Sequence, residues 1–338
     1  MEKTSILTTI QNIFGSNIYK IPDYQRGYAW EESQVNDLLN DLDNIESEKT
    51  HYTGTFVVNH KGEERHAGEK YSIYEVIDGQ QRLATISVLL FCIYEEFKNI
   101  DASKLSRDNL GLYGDPDEIA NTIYQKYIMT GKHHRLILND DSNDYYCDHI
   151  IRDRNIIGID KPQNTSQLNL RNAKSLIINY LSNKLSSTTD ILDGYFIFLN
   201  KLKSKITDSL IINKYIVEND IEASVIFEVM NDRGKQLSQA DKIKNYLIYL
   251  AYKIEDIELA GKINQCWGSI FKNLMASKRS SEDDFIRYNW IIYTNEYKEY
   301  DIHRRIKDTI KLKGNEGNRI KNNIIEKQIN DYLDCITE

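Results

Sequence analysis

The sequence predicts an α+β protein, on three observations. Residues 71–77, YSIYEVI, mix β-branched and aromatic side chains over strand length, and Leu83, Ile86, Leu89, Leu90, Ile93, Tyr94 and Phe97 then recur at helical spacing. Residues 51–60 and 209–217 carry the composition of further strands. From Ser238 onward the apolar residues recur at helical spacing, so the C-terminal part is mainly helical.

Taken in order, residues 4–14 place Ile6, Leu7, Ile10 and Phe14 on one face of a short helix that breaks at Gly15 and Ser16. In the following YKIPDYQRGYAW, Pro22 keeps Ile21 extended, while Tyr24, Gln25, Arg26, Tyr28 and Trp30 crowd stacking and hydrogen-bonding groups together. Such a set could hold a base between rings while Arg26 meets a phosphate, or it could be half-buried packing with Arg26 lying across a ring. Ser33 is the expected cap of a helix that turns Val35, Leu38, Leu39, Leu42 and Ile45 inward. Residues 51–60 and the 71–77 strand form a hairpin around a polar loop, 61–70. His60 and His66 flank that loop, with no third ligand spaced to join them around a metal.

Strand meets helix at Asp78, Gly79, Gln80, Gln81 and Arg82, the most polar run of an otherwise apolar segment. A new helix exposes unpaired backbone N–H groups at its start, and these attract an anion. Gly79 lets backbone approach a ligand, Arg82 can grip a phosphate with two N–H groups, and Asp78 can bind a metal or orient water. The alternative is a plain helix cap at Asp78 and a surface ion pair at Arg82.

Residues 101–167 are rich in turn residues and interrupted by Pro116 and Pro162, which marks a variable insertion. His133, His134 and Arg135 precede the apolar Leu136, Ile137 and Leu138, without the downstream Asn and His of a nuclease motif. Residues 168–185 and 191–202 read as helices and 209–217 as a strand. Asp220 caps a helix with Ala223, Ile226, Phe227, Val229 and Met230 inward, ending at Asn231, Asp232, Arg233 and Gly234, where Gly234 suits a left-handed cap. Ser238 then caps a long helix that buries Ile243, Tyr246, Leu247, Leu250 and Ile254. The turn offers Asn231, Arg233, Lys235, Asp241 and Lys244 together, as a site or as a corner with incidental charge. Trp267, Ile270, Phe271 and Leu274 form one packing stripe, and Phe285, Ile286, Trp290 and Ile291 another. The expected organisation is 1–100 as core, 101–208 as a mainly helical insertion, 209–300 completing the site, and 301–338 as a peripheral helical tail.

Composition narrows the class. With 43 basic and 51 acidic residues the formal charge is −8, which argues against a uniformly basic nucleic-acid coat and leaves Lys201, Lys203 and Lys205 as one local candidate for a basic surface, or as a plain solvated face. Cys92, Cys147, Cys266 and Cys335 lie far apart, in no zinc or disulfide spacing. No window approaches the ~20 apolar residues of a membrane span, and a cytoplasmic protein with no membrane partner is expected.

Three motifs stand in one order: I-P-D-Y-Q-R-G-Y-A-W at 21–30, G-T-F-V-V and V-I-D-G-Q-Q-R-L between 54 and 83, and F-E-V-M-N-D-R-G-K-Q-L-S-Q-A-D-K-I-K-N-Y-L at 227–247. Together they resemble the N-terminal domain of GmrSD-type, modification-dependent restriction proteins, a family whose core looks like the ParB and sulfiredoxin fold. The resemblance covers about 6–97 and 209–290. It implies a small mixed sheet with helices, and a domain that binds and hydrolyses a nucleoside triphosphate with Mg2+ while controlling cleavage of foreign or modified DNA. Asp78, Gln80, Gln81 and Arg82 would then be catalytic, with Asp78 also the metal ligand. Tyr24, Gln25, Arg26, Gly79 and Lys244 would bind the nucleotide, and Asn231, Arg233 and Lys235, binding it too, would close the pocket from the C-terminal half. Relatives commonly continue into a His-Asn-His nuclease domain that does not occur before Glu338, so a nuclease domain or partner subunit is expected outside this chain. Two other readings stay open: a module that binds the DNA backbone without turnover, and a ParB-like nuclease that nicks DNA.

Overall fold

The computed structural model describes residues 4–46, 48–66, 68–152, 161–186, 191–217, 238–277, 282–295, 302–311 and 318–337. The chain divides into two compact units, Met1–Pro22 with Gly27–Ile216, and Asp23–Arg26 with Val217–Glu338.

The first unit is a mixed sheet with helices. Its strands are β1 (Thr4–Thr9), β2 (Asn17–Lys20), β3 (His51–His66), β4 (Glu69–Asp78), β5 (Met129–Thr130), β6 (His133–His134), β7 (Leu136–Ile137) and β8 (Leu210–Val217). Six of them form one sheet in the order β1-β8-β3-β4-β2-β7, and β5 pairs with β6. The β1/β8 and β3/β4 pairs are antiparallel, whereas β2 runs parallel to both β4 and β7. The helices of this unit include α1 (Ile10–Phe14), α2 (Glu32–Asn44), α3 (Gln80–Lys98), α4 (Arg107–Tyr113), α5 (Pro116–Ile123), α6 (Asp140–Tyr145), α7 (Thr165–Ser186) and α8 (Ile191–Ser204).

α3 is the centre of the unit. It follows β4 directly and packs against α5, α7 and α8. Its buried residues include Thr85, Ser87, Val88 and Cys92 besides the expected stripe, so it is enclosed on almost every side. Two buried hydroxyl pairs satisfy its polar residues: Thr85 with Tyr28 at 2.7 Å, and Ser87 with Tyr146 at 2.7 Å. Ile119, Ile123, Tyr127, Leu136 and Tyr146, from the segment after α3, enter the same core as Phe56, Val76 and Leu89.

Three local expectations are corrected. Residues 4–9 are an edge strand rather than the first turns of a helix, and Ile6 and Leu7 are exposed. Thr4, Ile6, Thr8 and Thr9 are β-branched and find a ladder on β8, so the extended form wins; the helix starts only at Ile10, capped by Thr9. The polar stretch 61–66 continues β3 rather than forming a loop. Gly62, at φ +131°, absorbs a register shift, and the pairs Lys61–Glu75 and Lys70–Glu63 suit a solvent-facing hairpin arm. Finally, Glu31 and Gln34 form the capping box of α2, in place of Ser33.

The second unit, in its described residues, is helical: α9 (Gln239–Lys253), α10 (Ile257–Ser277), α11 (Glu282–Thr294), α12 (Ile302–Thr309) and α13 (Asn318–Thr337). α9 packs against all four of the others. Ser238 is its N-cap as expected, and Ile243, Leu247 and Leu250 are buried with Trp267, Ile286 and Trp290 in one core. The Trp267 indole N–H donates to the Ala240 carbonyl at 3.1 Å, which ties α10 to the first turn of α9. The Asp220 helix and its Asn231–Gly234 corner lie outside the described residues. No described helix is long and apolar enough to cross a membrane.

Candidate functional site

In the first unit, the register Val57↔Asp78 sets the chain around Thr55–Val57 beside the β4–α3 junction. Gly79 is the N-cap residue of α3, at φ +91°. A Cβ there would sit 2.8 Å from Phe56 Cδ2, so both the backbone angle and the neighbour require glycine. Gly79 brings no side-chain cap, and the first turn of α3 carries no acidic residue. The helix start is therefore electropositive.

Arg82 comes from that first turn and reaches back to β3. Its Nη1 donates to the Thr55 carbonyl at 3.4 Å, and its guanidinium lies against Gly54, whose φ is +112° and whose Cβ, if present, would be 3.0 Å from Nη2. Burial lowers the Arg82 pKa, opposed by the neighbouring Asp78 carboxylate and by Tyr52. Arg82 is thus a recessed cation with a carboxylate beside it. Gln80 is 8 % exposed, and its Oε1 is buried without a hydrogen-bond partner. Such an atom carries a desolvation cost that a ligand or a water could offset. Gln81 is engaged at both ends: Oε1 accepts from Ala29 N–H at 2.7 Å, and Nε2 donates to the Gly27 carbonyl at 3.0 Å.

The second unit holds a charge cluster of its own residues. Its segment Asp23–Arg26 packs on α9 and α10, with backbone at Asp23 and Tyr24 close to Gly268. The Lys244 ammonium, almost fully buried, donates to the Tyr24 carbonyl at 3.0 Å and lies 5.4 Å from the Tyr24 ring centroid. Arg26 Nε is 3.5 Å from Asp241 Oδ2, which also accepts from the Ser238 hydroxyl at 2.9 Å. Glu282, on α11, faces the same group: burial first, and then Asp241, push its carboxyl up to about 7, while Arg26 and Lys244 oppose them. Burial likewise lowers the Lys244 pKa, opposed by Asp241 and Glu282.

The candidate residues therefore divide between the two units. Asp78, Gly79, Gln80, Gln81 and Arg82 lie together in the first unit, and Tyr24, Gln25, Arg26 and Lys244 belong to the second. Asn231, Arg233 and Lys235 lie outside the described residues. Sequence reasoning missed Tyr52 and Thr55, which the hairpin brings to Arg82, and Glu282, which reaches Asp241 only through helix packing. For Tyr52 the strand alternation offered a signal, since Tyr52 and Gly54 share one face of β3. For Glu282 there was no local signal.

Two of the histidines, His66 and His133, meet each other. Their rings are tilted by 40° with centroids 3.8 Å apart, and His66 Nε2 is 3.0 Å from Glu64 Oε2. Among the described residues no group of three or more His, Cys, Asp or Glu is placed to hold a metal ion. Lys205 donates to the Leu42 carbonyl at 2.8 Å and the Asp43 carbonyl at 3.2 Å, a cation on the C-terminal turn of α2.

Comparison with known families decides the classification. The family described as GmrSD restriction endonuclease, N-terminal domain, matches residues 10–248. The chain belongs to this family. No curated protein matches it. The GmrSD N-terminal match spans the Asp78–Arg82 junction in the first unit and Tyr24–Arg26, Asp241 and Lys244 in the second, whereas Glu282 lies beyond the matched residues.

Proposed function

We propose that this chain is the nucleotide-responsive domain of a restriction system that acts on foreign or modified DNA, and that it binds and hydrolyses a nucleoside triphosphate at the β4–α3 junction. The observation that carries the reading is Arg82: a cation held against bare backbone at Gly54 and Thr55, beside Asp78, at a helix start that no side chain caps. Family membership supports the restriction context.

In this reading the N–H groups at the start of α3 and the Arg82 guanidinium hold phosphate oxygens and stabilise the charge that develops on them during transfer to water. A half-buried carboxylate beside a phosphate-binding arginine suits magnesium, which takes one or two protein carboxylates together with phosphate oxygens. Asp78 would be its protein ligand, and the ion would supply neutralisation of phosphate charge. Gln80 carries the buried orphan carbonyl and is assigned to the attacking water. Gln81 acts at one remove, by fixing Gly27 and Ala29. Tyr24, Gln25, Arg26, Lys244 and the motif residues Asn231, Arg233 and Lys235 are assigned to the response to nucleotide, and DNA cleavage to a nuclease domain or subunit that works with this one.

The test is thermal unfolding of the full chain with magnesium and each of ATP, GTP, CTP and UTP, alongside phosphate release. A nucleotide at about 100 times its dissociation constant stabilises a fold by about 2.7 kcal/mol. Stabilisation with phosphate release, both lost in Arg82→Gln with the circular dichroism unchanged, is the expected result. Absence of any stabilisation sinks the reading. In that case binding of modified duplex DNA, and magnesium-dependent nicking of plasmid, separate the two remaining ones.

A further inference from the structure

The site described above has an outer part that no motif marks. Tyr52 lies on β3 and is 53 % exposed, among the largest exposures of an aromatic ring in the described residues. Its hydroxyl is 3.3 Å from Thr55 Oγ1, and the carbonyl of the same Thr55 accepts from Arg82. Between them Gly54 presents bare backbone to the guanidinium. A ring and a cation therefore converge on one short stretch of strand, with the cation recessed and the ring in solvent.

We propose that Tyr52 is the surface on which the Arg82 site stacks the base of its nucleotide. The inference rests on the nucleotide reading above and adds to it the recognition of the base. A recessed cation alone selects for an anion, and inorganic polyphosphate would satisfy it. An open aromatic face at the mouth adds affinity only for a ligand that also carries a flat π-system. The Tyr52–Thr55 contact is at the polar tip of the ring and does not cover its faces. A Cβ at Gly54 would stand 3.0 Å from the guanidinium, and its φ of +112° favours glycine, so the strand passes close to the cation there.

The experiment compares the affinities of magnesium complexes of the four nucleoside triphosphates and of inorganic tripolyphosphate, by calorimetry, for wild type, Tyr52→Ala and Tyr52→Phe. Stacking on one aromatic side chain is worth about 5- to 150-fold in affinity. Wild type is expected to prefer at least one nucleotide over tripolyphosphate by a factor in that range. Tyr52→Ala is expected to bring the two within about twofold while leaving tripolyphosphate affinity unchanged, and Tyr52→Phe to keep the preference. Equal weakening of both ligands in Tyr52→Ala, or an undiminished preference, overturns the proposal while the nucleotide site stands. Equal wild-type affinity for nucleotide and tripolyphosphate overturns it too, leaving a phosphate site. If wild type binds neither ligand, the nucleotide reading itself fails, and this inference with it.

Discussion

The side-chain carbonyl of Gln81 accepts the backbone N–H of Ala29 at 2.7 Å. Its amide donates to the Gly27 carbonyl at 3.0 Å, so one side chain holds the chain on both sides of Tyr28. Gln81→Leu removes both hydrogen bonds, at a cost of about 0.5–1.5 kcal/mol each. Gln81→Glu keeps the acceptor for Ala29 but sets a carboxylate oxygen where the amide donated to the Gly27 carbonyl, and should also be less stable than wild type. Urea unfolding followed by Trp30 fluorescence checks both; a leucine variant with an unchanged midpoint would show that the clamp carries no weight.

Gly79 is expected to be intolerant for two separable reasons. Gly79→Ala places a Cβ 2.8 Å from Phe56 Cδ2 and also forces a side chain onto φ +91°. Each contributes about 1 kcal/mol or more. Repeating the substitution in a Phe56→Leu background relieves the contact and not the backbone angle. Unfolding midpoints of the four proteins in the cycle should therefore show coupling, with a residual loss that Phe56→Leu does not rescue.

Lys214 makes the first unit more stable in mild alkali. Its ammonium donates to the Tyr19 hydroxyl at 3.2 Å and lies 3.9 Å from the Tyr74 ring centroid, and burial lowers its pKa to about 8. From pH 8 upward the folded chain has lost this proton while the unfolded chain still binds it, so stability rises with pH. The Tyr19 and Tyr74 phenols, both raised, have the opposite effect once unfolded tyrosine ionises, which confines the rise to between about pH 8 and 10. Lys214→Met should be more stable than wild type at pH 7 and lack the rise. Unfolding midpoints at half-unit pH intervals decide it.

Glu282 gives the second unit the opposite slope. Its carboxyl, pushed up to about 7 by burial and Asp241, keeps its proton in the fold at pH values where an unfolded glutamate has lost it. That unit is accordingly most stable below about pH 4.5 as far as this group is concerned, and the contribution is lost as pH rises to about 7. Glu282→Gln should flatten this part of the profile. Fluorescence of Trp267 and Trp290, both buried in the second unit, reports it; an identical slope in the variant would refute the assignment.

Much of this was legible in the chain because the signals are local. The hairpin strand before Asp78, the helix from Gln80, the cap at Ser238 and the long helix behind it follow from β-branching, spacing and capping chemistry read over a few residues. Residues 4–9 and 61–66 were not legible. There the ladder offered by a distant strand outweighs an ambiguous local pattern, as when β8 claims Thr4–Thr9 across about two hundred residues. The candidate site divides in the same way. Asp78 to Arg82 announce themselves as a polar run inside an apolar segment. Gln81's clamp on Gly27 and Ala29, Tyr52 beside Arg82, and Glu282 beside Asp241 exist only once separate elements meet.

The second unit takes four of its residues, Asp23–Arg26, from near the N-terminus and the rest from Val217 onward. It consequently has no contiguous gene segment. A fragment beginning at Val217 would leave Lys244 buried without the Tyr24 carbonyl, and Asp241 without Arg26. Ribosomal synthesis imposes the same interval on the cell: about two hundred residues must follow Arg26 before α9 exists to receive it.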